Sequence, residues 1–126
     1  MPAILVVEDD KHSRRINCTA LGSAGFEIHE ADNGTDGIRL ALELVPDLIV
    51  MDLALPGTGG IDAIARIKQA MGEAAPLILV LSAHAMKDDL DMARRAGCDV
   101  YLAKPIDPFD LVHEVRRLLS SRGAGT

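Results

Sequence analysis

Aromatic side chains are nearly absent from this sequence of 126 residues, which has no tryptophan, one tyrosine and two phenylalanines. The hydrophobic core must therefore be built from aliphatic side chains. Proteins that bind single-stranded nucleic acids stack the bases on aromatic rings, and this chain has too few rings for that. Its formal net charge of −6 also repels nucleic-acid phosphates and anionic lipid headgroups. We expect no direct contact with nucleic acid.

Long hydrophobic runs and cysteine pairs are also absent. The longest stretch without Asp, Glu, Lys or Arg covers residues 74–86, and a membrane-spanning helix needs roughly 20 apolar residues. The amino terminus has no basic region of the kind that opens a secretory signal. Cys18 and Cys98 lack CxxC spacing. We expect a cytoplasmic protein without membrane insertion, in which both cysteines are reduced and mostly buried; a disulfide between them is the alternative.

The order of apolar segments predicts an α/β fold. Five short apolar runs alternate with five segments of helical periodicity, which is typical of parallel βαβ units. Three runs are continuously apolar, as in strands covered on both faces, whereas the second and fifth alternate with polar residues and are expected at the sheet edges. We expect one domain over residues 1–121 and a flexible tail over residues 122–126. The runs are residues 4–7, 26–31, 48–51, 77–81 and 100–103.

The candidate site residues are polar side chains that follow four of the predicted strands. In open parallel sheets, ligands bind beyond the carboxyl ends of the strands, so these residues are expected at one edge. They are Glu8 and Asp9 after the first strand, Asp52 after the third, Ser82 after the fourth and Lys104 after the fifth.

This set of side chains suits phosphoryl transfer. Three clustered carboxylates repel each other unless a cation lies among them, and oxygen ligands favour Mg²⁺. Asp52 can serve as a carboxylate nucleophile, while Lys104 and the Ser82 hydroxyl can hold oxygens of the transferred group.

Each residue also has a simpler explanation when it is taken alone. An acidic run after a strand is usually a helix N-cap, and a single Asp or Ser after a strand is usually a cap or a turn residue. The functional interpretation depends on finding all of them at the exits of different strands.

Four segments in this order resemble the receiver domain of two-component response regulators. The resemblance covers residues 3 to 120 and implies a doubly wound, five-stranded parallel sheet, CheY-like and flavodoxin-like in topology, with strand order 2-1-3-4-5. The expected edge strands agree with this order. The segments are ILVVEDD (4–10), LIVMDLALPG (48–57), VLSA (80–83) and YLAKPI (101–106).

The resemblance assigns a role to each site residue. Asp52 matches the phosphoacceptor, and Glu8 and Asp9 match the acidic pair of the Mg²⁺ site, with Asp9 as the direct ligand. Ala54 matches the position whose backbone carbonyl binds the metal.

The remaining matches concern the switch. Ser82 matches the switch hydroxyl, with the small Ala83 beside it. Lys104 matches the family's lysine, and Pro105 matches a proline that often follows a cis bond. Tyr101 matches the switch aromatic, although a tyrosine on an edge strand is by itself unremarkable.

Two features depart from the family pattern. Gly59-Gly60 stands where the family often has Asp-Gly, which predicts a softer start of the third helix without loss of chemistry. Ala54 and His84 occupy the positions that tune hydrolysis of the phospho-aspartate, and Ala54 cannot orient a water molecule. We expect a longer phosphorylated lifetime than in members with polar residues at both positions.

The resemblance implies a signalling domain rather than an enzyme with a separate substrate. Its partners would be a histidine kinase or a phosphotransfer protein, and a downstream protein that binds the face formed by the fourth helix, fifth strand and fifth helix. The chain would be a monomer or a weak, phosphorylation-dependent dimer. A receiver domain excised from a larger hybrid kinase or multidomain regulator is the alternative.

Three other functions are weighed against this one. A haloacid-dehalogenase-type phosphatase also uses an aspartate nucleophile with Mg²⁺, but it needs a second Asp where this chain has Ala54. An FMN carrier needs a hydroxyl-rich phosphate loop after the first strand, where this chain has three acids. A receiver that acts as an unphosphorylated scaffold remains open.

Overall fold

A computed structural model describes residues 1–55, 57, 59–83 and 87–124, which alternate between strands and helices. Each predicted strand is present within one residue of its expected bounds. The strands are β1 (Ala3–Val7), β2 (Glu27–Ala31), β3 (Leu48–Asp52), β4 (Leu77–Ser82) and β5 (Val100–Ala103), and the helices are α1 (Lys11–Ser23), α2 (Gly34–Leu44), α3 (Gly60–Met71), α4 (Lys87–Ala96) and α5 (Pro108–Ala124), with a 3-10 turn at Gly72–Ala74.

The strands form one parallel sheet in the order β2-β1-β3-β4-β5. This confirms the predicted doubly wound α/β fold. It also confirms β2 and β5 as edge strands, because strands with one wetter face alternate between apolar and polar residues. The order places β1 and β3 side by side at the centre, where the chain reverses its direction of winding and where ligands bind in such sheets.

The core consists of two aliphatic layers, one on each face of the sheet. Successive residues of a strand point to opposite faces, so Leu5 and Val7 enter one layer while Ile4 and Val6 enter the other. The first layer packs against α2 and α3, and the second packs against α1 and α5. Because β1, β3 and β4 are covered on both sides, their carboxyl ends are held at fixed positions relative to one another.

Helix α1 begins directly beyond the carboxyl end of β1. Asp10 is its N-cap, and the Asp10 carboxylate accepts a hydrogen bond from the backbone N–H of Ser13 at 2.8 Å. One of the three acids after β1 is therefore a helix cap, as the simpler explanation of that run holds, and the other two remain for the site.

The cysteines and the carboxyl terminus can be compared with their expected states. Cys18 and Cys98 are free thiols and half-buried rather than mostly buried, and burial raises the pKa of both, that of Cys18 to about 12. Helix α5 extends to Ala124, and the flexible tail stays a prediction. Within the described part of the chain, no helix combines the length and the apolar character needed to cross a bilayer.

Candidate functional site

The polar residues predicted to follow the strands meet at one edge of the sheet. Asp52 and Ser82 are the last residues of β3 and β4, and Glu8 and Lys104 directly follow β1 and β5. The strand registers align these exits, because Asp52 lies beside Leu81 and Ser82 lies beside Ala103. The parallel sheet thus brings together residues that are up to 96 positions apart in the chain.

Lys104 joins the two buried carboxylates of this edge. Its Nζ donates to Glu8 Oε1 at 2.7 Å and to Asp52 Oδ2 at 3.0 Å. Glu8 is 3% exposed and Asp52 is 6% exposed, whereas a quarter of the Lys104 side chain reaches solvent. Burial disfavours the ammonium, but the hydrogen bonds to the two carboxylates outweigh it and raise the pKa of Lys104. Lys104 therefore stays protonated and neutralises part of the acidic charge.

One carboxylate oxygen of Glu8 has no hydrogen-bond partner within the described structure. Glu8 Oε2 is buried and unpaired, and burying a carboxylate oxygen without a hydrogen-bond partner costs free energy. Burial, and next the neighbouring Asp52 carboxyl group, raise the pKa of Glu8 from 4.5 to about 7, although Lys104 acts in the opposite direction. In the metal-free protein, Glu8 is thus about half protonated near neutral pH.

Stability without metal is expected to fall as the pH rises through this range. The folded protein binds a proton at Glu8 more tightly than the unfolded chain does. The stabilisation of the fold by this proton is therefore full below pH 4.5 and is lost as the pH rises to about 7. Relative to wild type, the free energy of unfolding of Glu8→Gln should rise by about 2–3 kcal/mol between pH 4.5 and 8. Urea unfolding in EDTA measures this difference at each pH.

The matched control is the exposed glutamate of α2. Glu43 pairs only with Arg39 on the surface of that helix, so Glu43→Gln should track the wild type across the same range. A constant difference between Glu8→Gln and wild type would contradict the assignment of the shift to Glu8.

The three acids can hold a divalent cation. Glu8, Asp9 and Asp52 each offer a carboxylate oxygen, and these oxygens lie within 4.8 Å of one another. Asp9 is exposed, so a cation can enter from solvent. The unpaired Glu8 Oε2 indicates that the site has more acceptor capacity than its own residues use. Hard cations with oxygen ligands, Mg²⁺ above all, fit this donor set.

The backbone after β3 is close to the Asp52 carboxylate. The N–H of Ala54 donates to Asp52 Oδ1 at 3.1 Å, and Ala54 itself is exposed. Asp52 is therefore held from two sides, by Ala54 at one oxygen and by Lys104 at the other. The predicted role of the Ala54 carbonyl as a metal ligand stays a prediction.

The predicted switch residues flank this centre. Ser82 is buried at the end of β4, and its carbonyl accepts from the backbone N–H of Lys104 at 2.8 Å. Tyr101 is half-buried on β5 and packs against the layer under α2 and α3. The Lys104–Pro105 bond is cis, as the resemblance implies. His84, predicted to tune hydrolysis, lies outside the described residues.

Gly60 is a site residue whose importance the sequence interpretation missed. It starts α3, and a Cβ at this position would lie 2.5 Å from the carbonyl oxygen of Asp52 and 2.7 Å from the Cα of Leu53. A Cβ at Gly59, the N-cap, would have no heavy atom within 4 Å, and Gly59 makes no side-chain cap. The glycine pair was the available signal, but only its second member touches the backbone that carries Asp52.

A methyl group at Gly60 is expected to destabilise the protein. Gly60→Ala must push α3 away from the end of β3, and overpacking of this kind costs about 1–3 kcal/mol. Gly59→Ala is the matched control and should stay within about 0.5 kcal/mol of wild type, because its Cβ would meet no neighbour and there is no side-chain cap to lose. Urea unfolding of both variants in EDTA tests the contrast, and equal stabilities would contradict the close contact.

Comparison with known proteins identifies the family of this chain. The family model described as "Response regulator receiver domain" matches residues 4–116. The chain belongs to the response regulator receiver domain family. This membership favours the signalling interpretation over the phosphatase and the flavin carrier, and confirms the resemblance of the four sequence segments.

Individual relatives agree with this assignment. The chain is 34% identical to the phosphate regulon transcriptional regulatory protein PhoB of Pseudomonas aeruginosa, over 97% of this chain and 53% of that protein. A response regulator receiver domain from Bermanella marisrubri is 31% identical, with a TM-score of 0.83 over 93% of this chain and 97% of that one. The chain spans about half the length of the transcriptional regulators that it matches.

A more distant structure shows the same fold. The CheY-like receiver domain protein from Methanospirillum hungatei is 21% identical and superimposes with a TM-score of 0.93, over 100% of this chain and 99% of that one. The two chains therefore share one fold from β1 to α5.

Proposed function

We propose that this receiver domain accepts a phosphoryl group on Asp52 from the phosphohistidine of a histidine kinase or a phosphotransfer protein. The observation that carries the proposal is the Lys104 ammonium shared between two buried strand-end carboxylates, beside Glu8 Oε2, which has no hydrogen-bond partner among the described residues. A nucleophile, a cation site and a positive group thus lie together, which is what phosphoryl transfer requires.

The transfer uses groups already in place. A carboxylate oxygen of Asp52 forms the new bond to phosphorus, the bond between phosphorus and the histidine nitrogen breaks, and its electron pair leaves with the imidazole. Glu8, Asp9, Asp52 and the carbonyl of Ala54 would hold Mg²⁺, which neutralises charge on the phosphoryl oxygens. Lys104 turns from the Asp52 carboxylate to a phosphoryl oxygen, a short movement because it is tethered by Glu8.

The output is a shift between two conformations of the protein surface. Ser82 approaches the new phosphoryl oxygens, Tyr101 follows, and the face of α4, β5 and α5 changes its affinity for a downstream protein. In this proposal the domain comprises residues 1–121, acts in the cytoplasm and is itself the phosphoacceptor rather than an enzyme with a separate substrate. The alternative is that the chain is a receiver domain excised from a larger hybrid kinase or multidomain regulator. The relatives of about twice this length are transcriptional regulators, and in a chain of that architecture further domains would deliver the output.

Intact mass spectrometry with a small phosphodonor tests the proposal. Wild-type protein incubated with Mg²⁺ and acetyl phosphate should gain one phosphoryl group. EDTA should prevent the gain, and hydroxylamine should reverse it, because it cleaves acyl phosphates. Absence of any gain, both with acetyl phosphate and with a panel of phosphorylated histidine phosphotransfer proteins, would overturn the proposal in favour of an unphosphorylated scaffold.

A further inference from the structure

An arginine of α1 reaches back across the acidic loop that follows β1. The Nη1 of Arg14 donates to the backbone carbonyl of Glu8 at 2.8 Å. Its Nε donates to Glu30 Oε1 at 3.1 Å. The Arg14 side chain is only 18% exposed, so the guanidinium is packed between the loop and β2 and is not a freely moving surface group.

The backbone of the same residue binds the other end of the loop. The N–H of Arg14 donates to the carbonyl of Asp10 at 2.9 Å. The residue therefore holds the carbonyl of Asp10 through its backbone, as any residue at this position would, and the carbonyl of Glu8 through its guanidinium. The N–H of Glu8 is bonded in turn to the carbonyl of Ala31 at 3.0 Å, so the backbone of Glu8 is held at its N–H by β2 and at its C=O by Arg14.

We propose that Arg14 is a positioning residue for the cation site, because its guanidinium fixes the carbonyl of the peptide that leads into Asp9; this inference rests on the magnesium site of the proposed function. Asp9 is exposed and its side chain is not packed in place, so the direction of its carboxylate depends on the backbone. Without the guanidinium, the peptide between Glu8 and Asp9 is free to rotate, and ordering it again opposes cation binding. Groups that orient metal ligands in this way typically contribute about 10- to 100-fold to metal affinity.

Electrostatics and positioning predict opposite results when Arg14 is replaced. Arg14 carries a positive charge close to a cation site, so its removal should tighten Mg²⁺ binding if charge alone mattered. Positioning predicts weaker binding in spite of the lost charge. The sign of the change in Mg²⁺ affinity therefore separates the two effects.

Isothermal titration calorimetry with Mg²⁺ alone, at pH 8 and without a phosphodonor, tests the inference. Arg14→Gln should bind Mg²⁺ about tenfold more weakly than wild type. Arg39→Gln is the matched control, because Arg39 is another arginine near Glu30 and Asp32 that pairs with Asp36 and Glu43 instead of the loop. It should bind Mg²⁺ as tightly as wild type or slightly more tightly.

A second variant and a stability measurement guard against a purely structural effect. Arg14→Lys keeps the charge and the aliphatic stem but lacks the forked donors, so it should also bind Mg²⁺ severalfold more weakly. Thermal unfolding in EDTA establishes that each variant is folded at the titration temperature. If wild type binds Mg²⁺ and both folded Arg14 variants bind it equally well or more tightly, the inference is overturned while the magnesium site stands. No binding by wild type would instead overturn the magnesium site, and the inference with it.

Discussion

Asp52→Asn is expected to abolish the phosphoryl gain completely. The substitution keeps the size of the buried side chain, and the amide oxygen can still accept from the N–H of Ala54, as Asp52 Oδ1 does at 3.1 Å. It removes the carboxylate to which Lys104 donates at the end of β3 and which also belongs to the cation cluster. The amide cannot form an acyl phosphate, so the loss should be total at any concentration of Mg²⁺ or acetyl phosphate.

The matched control is an aspartate at the amino end of a strand, away from the carboxyl ends that form the site. Asp99 directly precedes β5, accepts from the N–H of Ile78 at 2.8 Å and faces a lysine, Lys68, at 3.7 Å. Asp99→Asn should gain a phosphoryl group like wild type. If Asp52→Asn were modified at the same rate as Asp99→Asn, the phosphoacceptor would have to be another residue.

The fold and the members of the site could be predicted because both depend on patterns along the chain. Continuous apolar runs distinguish β1, β3 and β4 from the alternating edge strand β2, and a parallel sheet then brings every strand exit to one edge. Asp52 and Lys104 therefore lie together as a consequence of topology. Their roles in the family follow from the four matching segments.

Which of three consecutive acids does what could not be predicted from their residue types. Glu8 is buried beside Lys104, Asp9 is exposed beside the site, and Asp10 caps α1. These different environments arise where the chain leaves the strand and enters the helix, and they decide which pKa is shifted. The raised pKa of Glu8 is a property of the folded neighbourhood rather than of the sequence.

The two residues that sequence interpretation missed act through backbone atoms. Gly60 lies against the carbonyl of Asp52, and Arg14 binds the carbonyl of Glu8. Patterns of side-chain polarity carry no record of such contacts, because every residue has the same carbonyl group. A glycine at a helix start and an arginine in a first turn are both common for other reasons, so neither points to the site before the chain is folded.

Lys104→Met is expected to change phosphoryl transfer and cation binding in opposite directions. Loss of a positive group that stabilises a transition state costs about 100- to 1000-fold in rate, so the rate of the phosphoryl gain from acetyl phosphate should fall by that factor. The same ammonium occupies oxygens of Glu8 and Asp52 in the metal-free protein. Its removal leaves those charges uncompensated, and Mg²⁺ should bind about tenfold more tightly at pH 8.

Lys68→Met provides the matched control for this experiment. Lys68 pairs with Asp99 at 3.7 Å, and its side chain is about as exposed as that of Lys104, at 29% against 25%. It lies on α3, however, and its partner Asp99 precedes β5, at the opposite end of that strand from Lys104. It should leave both the rate and the Mg²⁺ affinity at wild-type values. Time courses of intact mass and calorimetric Mg²⁺ titrations measure the two effects separately. A parallel loss of rate and affinity in Lys104→Met would mean that Lys104 supports the shape of the site, whereas opposite changes mean that it competes with the cation for the carboxylates and acts on the phosphoryl group.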